Sequence, residues 1–106
     1  MSSNAELTER GLTLKTYMVV AKFKDMVTLD EIRALIPAEQ AQAKLLEEQG
    51  VVGEIKVAMP KRTVFIEAYG VDEQSVLANI DTLPLAQLWE IELYETTPPA
   101  GAQASE

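Results

Sequence analysis

The sequence predicts an α+β fold whose elements follow the order β-α-β-β-α-β, with a four-stranded antiparallel sheet and two helices on one face. Its ending is the first observation behind this prediction: a helical pattern stops at Leu83-Pro84-Leu85, and an alternating strand follows from Leu88 to Glu95. The second observation is a hairpin pattern, because two strand-like segments, Val51 to Met59 and Thr63 to Tyr69, are separated only by Pro60-Lys61-Arg62. This order of elements is the split β-α-β, or ferredoxin-like, unit.

The first strand and the first helix occupy the beginning of the predicted core. Leu14 to Phe23 is rich in Val, Tyr, Met and Phe, as strands are. Thr28 and Glu31 have the spacing of a capping box, which predicts a helix starting after Thr28. Pro37 is expected to bend or break this helix, because proline lacks an N–H group, and Gly50 is expected to end it. Apolar residues recur at the spacing of one helical face: Leu29, Ile32, Leu35, Ile36, Ala41, Leu45 and Leu46.

The second helix is predicted between the hairpin and the last strand. It spans Glu73 to Thr82, and Asp72 is a plausible N-cap because its carboxylate can accept from the first free N–H groups. Its apolar face consists of Val76, Leu77 and Ile80. The fourth strand then runs from Leu88 to Glu95.

The chain of 106 residues is long enough for one domain with a core of its own. We place this domain at residues 14–95. Residues 1–13 are polar and without sustained periodicity, and we interpret them as a flexible arm. Residues 96–106 are rich in Pro, Ala and Ser and predict a flexible tail.

Composition and charge narrow the classes of partner. The net charge of −8 repels phosphate backbones, and no cluster of Lys and Arg offsets it, so nucleic acid is not an expected partner. No apolar run approaches the roughly 20 residues that cross a bilayer, so no membrane association is expected. The beginning of the chain lacks the apolar region of a secretory signal, and there is no cysteine, both of which fit a cytoplasmic protein.

The absence of histidine restricts the chemistry further. Histidine is the commonest general base and the commonest metal ligand, so a Ser-His-Asp triad, a Cys-His dyad and a His-metal site are excluded within this chain. The five glycines are scattered and form no phosphate-binding loop. Carboxylates, Lys, Tyr and backbone groups remain for proton transfer, and we expect no cofactor.

Alternation along the strands divides their side chains between two faces of the sheet. The helix-covered face is expected to carry Tyr17, Val19, Ala21, Phe23, Ile55, Val57, Val64, Ile66, Trp89, Ile91 and Leu93. The open face is expected to carry Met18, Val20, Lys22, Glu54, Lys56, Phe65, Glu67, Tyr69, Glu90, Glu92 and Tyr94. Because Met, Val, Phe and Tyr side chains on an uncovered face are unfavourable in water, we expect a homo-oligomer, a dimer or larger, that packs this face on a second copy.

The order and spacing of three segments resemble the muconolactone isomerase family, which belongs to the dimeric α+β barrels. The segments are Tyr17 to Phe23, the helix end from Glu39 to Gly50, and Leu83-Pro84-Leu85. The resemblance implies a cofactor-independent isomerase of aromatic catabolism that shifts a double bond in a small unsaturated lactone by moving a proton, and that assembles into homo-oligomers. Glu39 falls where the family's helix also carries a Glu. The first two strands depart from the family's isomerase, which has polar and aromatic residues there, including a His.

Four residues are candidates for catalysis. Glu39 could act as a proton shuttle at the mouth of a sheet-face cavity, or be a solvated carboxylate near a helix start. Lys22 could stabilise an enolate, or be a surface lysine. Glu67 and Tyr69 lie two apart on one strand and share a face. Glu67 could abstract a proton next to a carbonyl while Lys22 or Tyr69 stabilises the oxyanion. Alternatively, Glu67 could form an ion pair with Lys56.

The same open face would supply the ligand-binding residues, Met18, Val20, Lys56 and Phe65. Three functions remain open at this point. The chain could be a cofactor-free isomerase or related proton-transfer enzyme acting on a small lactone, carbonyl or polyketide-like compound. It could bind a small ligand without turning it over, or it could use its sheet only for self-assembly. The fold does not choose among them, because it hosts many functions.

Overall fold

A computed structural model describes residues 14–97 of the chain, and it confirms the α+β, ferredoxin-like fold. The predicted arm at residues 1–13 and most of the predicted tail, residues 98–106, lie outside the described residues. The elements in chain order are β1 Lys15–Phe23, α1 Leu29–Glu48, β2 Val52–Ala58, β3 Thr63–Gly70, α2 Glu73–Ile80 and β4 Trp89–Thr96, with short 3₁₀ helices at Met59–Lys61 and Pro84–Leu88.

The four strands form one sheet in the order β2-β3-β1-β4, and every neighbouring pair is antiparallel. Both helices pack on the same face, where their buried residues join the alternate residues of the central strands in one core. The buried apolar residues are Tyr17, Val19, Ala21, Phe23, Ile32, Leu46, Val52, Val64, Ile66, Ala68, Val76, Ile80, Leu83, Leu85 and Trp89. The opposite face of the sheet has no cover among the described residues.

Helix α1 begins as the sequence predicts. The Glu31 N–H donates to Thr28 Oγ1 at 3.1 Å, and the Thr28 N–H donates to Glu31 Oε1 at 2.8 Å, which completes the capping box. Gly50, at φ 76°, follows the end of the helix. A bend or a break is expected at Pro37, and the break is wrong because the helix continues to Glu48. A proline inside a helix costs about 3 kcal/mol, and burial of the apolar face on both sides of Pro37 outweighs that cost.

The second half of the domain follows the prediction with two adjustments. Asp72 caps α2 by accepting a 2.8 Å hydrogen bond from the Ser75 N–H group. The helix ends at Ile80, two residues before the predicted end. Strand β4 extends to Thr96, whose hydroxyl donates to the Thr16 carbonyl oxygen at 3.3 Å. The folded domain therefore includes the first residue of the predicted tail.

Strand β2 is an edge strand with an irregular register. Val52 is aligned with Ala68 and Ile55 with Ile66, so β2 contains one extra residue between these two pairs, a β-bulge. Val57 lies on the helix-covered face as predicted, yet 58% of it is exposed, because the helices do not fully cover this edge. No helix of residues 14–97 is long and apolar enough to cross a membrane.

Candidate functional site

The predicted catalytic residues lie on opposite faces of the sheet. Glu39 is on α1 and lines a pocket between this helix and the covered face. Glu67 and Tyr69 are on the open face, with the sheet between them and Glu39. The structure therefore does not bring Glu39 and Glu67 together, and the cavity that Glu39 lines is on the covered face. The reason is that α1 packs through the side that carries Glu39, and this side faces the core.

The pocket around Glu39 has a volume of about 250 Å³ and is largely apolar. Helix α1 supplies one wall, strands β2 and β3 supply the floor, and the 3₁₀ segment Pro84–Leu88 with the start of β4 supplies the other wall. Its lining residues are Ile36, Glu39, Gln40, Ala43, Ile55, Val57, Val64, Leu85 and Trp89. Within the described part of the chain, Glu39 therefore supplies the only carboxylate of this pocket.

One oxygen of Glu39 is held in place by the protein. Glu39 Oε1 accepts a 2.8 Å hydrogen bond from the backbone N–H of Leu85. Leu85 is the second residue of the 3₁₀ segment, after Pro84, and Pro84 has no N–H group. The residue before the segment, Leu83, makes no capping hydrogen bond with its side chain. Glu39 therefore caps this segment from a distant part of the chain and leaves its second oxygen available to the pocket.

The protonation of Glu39 depends on its surroundings. Burial raises the pKa of Glu39 above its ordinary value because the apolar surroundings disfavour the charged form, while the hydrogen bond from Leu85 opposes this effect. Burial is the larger of the two influences. A carboxyl group with a raised pKa can take up and return a proton closer to neutral pH than a solvated glutamate does.

Trp89 lines the pocket and is almost fully buried. Only 4% of Trp89 is exposed, and its ring makes an edge-to-face contact with Phe23, with ring centroids 6.0 Å apart. Its Nε1–H group is buried and has no hydrogen-bond partner within residues 14–97. A buried donor without a partner is unfavourable by about 1–3 kcal/mol.

The open face carries a second cluster, formed by Glu67 and Tyr69. The Tyr69 hydroxyl donates a 2.8 Å hydrogen bond to Glu67 Oε1, which raises the pKa of the Tyr69 phenol. Gly53, in the bulge of β2, makes room for this pair, because a Cβ there would lie 2.5 Å from the Tyr69 hydroxyl oxygen. Tyr69 is thus a protonated donor already engaged by Glu67, and it is not placed as a base.

Lys22 does not join this cluster within one chain. Met18 is the residue of β1 aligned with Glu67, and Lys22 lies four positions further along the strand. At about 3.4 Å per residue, this separation is roughly 14 Å. Lys22 is aligned instead with Glu90 on β4. Its predicted role beside Glu67 or Tyr69 therefore receives no support from the geometry of a single protomer.

The predicted ligand-binding residues are partly brought together. Met18, Lys56 and Phe65 line a shallow hollow of about 190 Å³ on the open face with Glu54 and Glu67, and Val20 is not among its lining residues. The ammonium of Lys56 lies 3.9 Å from Glu54 Oε1, so its ion pair is with Glu54 rather than with Glu67. A second hollow, of about 290 Å³, is lined by Thr16, Glu67, Thr96 and Thr97.

Sequence reasoning missed the pocket that Glu39 lines. The signal was present in α1, because Ile36, Glu39, Gln40 and Ala43 have the i, i+3, i+4, i+7 spacing of one helical face. A Glu on an apolar stripe predicts a carboxylate turned toward the core. Leu85 and Trp89 had no such signal, since their proximity to Glu39 arises only in the folded chain.

Within residues 14–97, no group of three or more Asp or Glu side chains is arranged to hold a metal ion. Comparison with known proteins adds no family: no protein-family model matches the chain, and no curated protein is significantly similar to it. The site is therefore interpreted from its own geometry.

Proposed function

We propose that this chain is a cofactor-independent proton-transfer enzyme, an isomerase acting on a small unsaturated lactone, carbonyl or polyketide-like compound. The observation that carries the proposal is the Glu39 carboxyl group, fixed by the Leu85 N–H in a largely apolar pocket. The resemblance to the muconolactone isomerase family favours the same reaction class, and we propose that the chain is a relative of that family.

In the proposed reaction, the free oxygen of Glu39 removes a proton from the carbon next to the substrate carbonyl. The electrons of the broken C–H bond form an enolate or dienolate, and the double bond shifts by one position. Glu39 then returns the same proton to a different carbon, so the overall change is an isomerisation with no net loss of atoms or electrons. A raised pKa suits both steps, because the group must be a base first and an acid afterwards.

The developing oxyanion needs a hydrogen-bond donor. Among the residues that line the pocket, Gln40 carries a side-chain amide that can donate. This assignment replaces Lys22 and Tyr69, which lie on the opposite face of the sheet. We propose that the open face, with Glu67 and Tyr69, serves assembly with a second copy rather than the chemistry.

The test is turnover of unsaturated lactones and enones by the wild-type chain, followed by absorbance of the conjugated product. Glu39→Gln keeps an acceptor for the Leu85 N–H but cannot take up a proton. We expect it to lose about a hundredfold to ten-thousandfold in rate, as is typical for loss of a general base. Glu67→Gln is the matched control and should keep its activity. Full activity of Glu39→Gln would contradict the proposal, as would loss of wild-type activity in EDTA.

A ligand-binding protein without turnover is the second candidate. Its supporting observation is that the Leu85 N–H already uses one oxygen of Glu39, which gives this carboxylate a structural role of its own. This candidate predicts that a lactone or enone binds in the pocket and is released unchanged. Binding without product formation over a range of pH would favour the ligand-binding function over the enzymatic function.

A further inference from the structure

The pocket wall carries an unbalanced charge. Among residues 14–97, Glu39 is the only ionisable residue that lines it, and Gln40 adds a side-chain amide. Within the same residues, no Lys or Arg lines the pocket. A carboxylate entering this pocket would meet Glu39 without a cation to compensate either charge.

Two cations near the pocket residues in the sequence are paired elsewhere. Arg33 precedes Ile36 by three positions on α1, and its guanidinium lies 3.9 Å from Asp30 Oδ1. Lys56 is on β2 beside the pocket residues, but alternation turns it to the open face, where its ammonium lies 3.9 Å from Glu54. Neither residue lines the pocket.

We propose that the Glu39 pocket selects uncharged ligands and rejects those that carry a carboxylate, an inference that rests on the proposed function. Its volume of about 250 Å³ is below the roughly 300–1,000 Å³ of sites for drug-sized molecules, which indicates a compact ligand of one or two rings. The ligand class is therefore a neutral lactone or cyclic enone. An anionic ligand would lose its hydration and face a like charge across apolar walls.

Val57 offers a way to reverse this selectivity. It lines the pocket from the edge strand β2 and is 58% exposed, so a longer side chain there can extend without displacing the core. Val57→Arg would place a cation in the pocket wall, where a guanidinium can pair with a carboxylate through two hydrogen bonds. Met26→Arg adds the same charge at a position that is 89% exposed and outside the pocket, so it is the matched control.

The experiment compares two probes of nearly equal size that differ in charge, a 5-carbamoylmethyl butenolide and its 5-carboxymethyl analogue. Trp89 is the only tryptophan of the chain and lines the pocket, so its fluorescence reports binding of either probe. At neutral pH we expect the wild-type chain to bind the neutral probe at least about tenfold more tightly, because two like charges repel strongly at low dielectric. Val57→Arg should remove or reverse this preference, and Met26→Arg should leave it unchanged.

Glu39→Gln supplies an independent readout. Because this substitution removes the negative charge and keeps the acceptor for Leu85, it should tighten binding of the carboxylate probe and leave binding of the neutral probe nearly unaffected.

Equal or tighter binding of the carboxylate probe by the wild-type chain would overturn the inference, and so would failure of both probes to bind. If the preference is lost while Glu39-dependent turnover persists, only the selectivity is refuted. If the preference holds while Glu39→Gln keeps full turnover, the catalytic proposal fails instead.

Discussion

Glu39 and Leu85 are 46 positions apart in the chain, and the carboxylate of Glu39 accepts the Leu85 N–H at 2.8 Å. This hydrogen bond joins the middle of α1 to the 3₁₀ segment that leads into β4. A second bond between the same two regions runs from the Gln42 side-chain amide to the Thr82 hydroxyl, at 2.8 Å. Together they hold the connection before β4 against the helix and shape one wall of the pocket.

The first prediction concerns the stability that this bond contributes. Glu39→Ala should lower the free energy of unfolding by about 1–2 kcal/mol, because the Leu85 N–H loses its acceptor. Glu39→Gln should cost less, since its amide oxygen can still accept. Urea denaturation of the three proteins measures the difference. Equal stability of the alanine and glutamine variants would show that the bond contributes nothing.

The second prediction concerns pH. Since burial raises the pKa of Glu39 in the folded state, the folded chain binds more protons than the unfolded chain above the ordinary glutamate value of about 4.3. The contribution of Glu39 to stability is therefore fully present below that value and is lost as the pH rises through the folded-state pKa. The stability of the wild-type chain relative to Glu39→Gln should fall as the pH rises from about 4 through the folded-state pKa of Glu39. A constant difference over this range would contradict the shift.

The third prediction concerns the close approach of Gly53 to Tyr69. A Cβ at position 53 would lie 2.5 Å from the Tyr69 hydroxyl oxygen and 2.9 Å from Glu67 Oε1. Gly53→Ala should therefore displace the hydroxyl, break its bond to Glu67 and destabilise the fold by up to about 1 kcal/mol. The phenol pKa of Tyr69 should fall toward its ordinary value, because the bond to Glu67 is the main cause of its increase.

Tyr69→Phe is the control for this prediction. It removes the hydroxyl that would clash, so Gly53→Ala should cost less in the Tyr69→Phe background than in the wild-type chain. We expect a coupling of at least about 0.5 kcal/mol between the two substitutions, as is common for residues in contact. Strict additivity in a double-mutant cycle would argue against the clash.

The fourth prediction concerns assembly through the open face. Phe65 and Tyr94 expose 38% and 52% of their surface there, which favours packing against a second copy. Light scattering at micromolar concentration should show at least a dimer, and Phe65→Lys should reduce its mass toward that of one chain. Leu77→Lys, on α2 with 36% exposure, is the control and should leave the assembly intact. A wild-type chain that stays monomeric would refute the proposed interface.

Local patterns in the sequence were sufficient to predict the order of the elements and the start of both helices. Thr28 and Glu31 satisfy each other's backbone groups three residues apart, and Asp72 caps α2 in a similar way, so both signals act within one helical turn. Alternation along β1 and β3 likewise predicted which side chains are buried. These features depend only on residues that are close together in the sequence.

Only the tertiary structure decided where the candidate carboxylates lie. The sequence placed Glu39 beside a presumed break at Pro37, but packing of α1 on the sheet keeps the helix continuous and turns Glu39 toward Leu85. Glu67 pairs with Tyr69 on the opposite face because a bulge brings Gly53 beneath them. These relationships depend on contacts between distant segments, whose free energy is gained only when the sheet and helices assemble, so no local pattern could specify them.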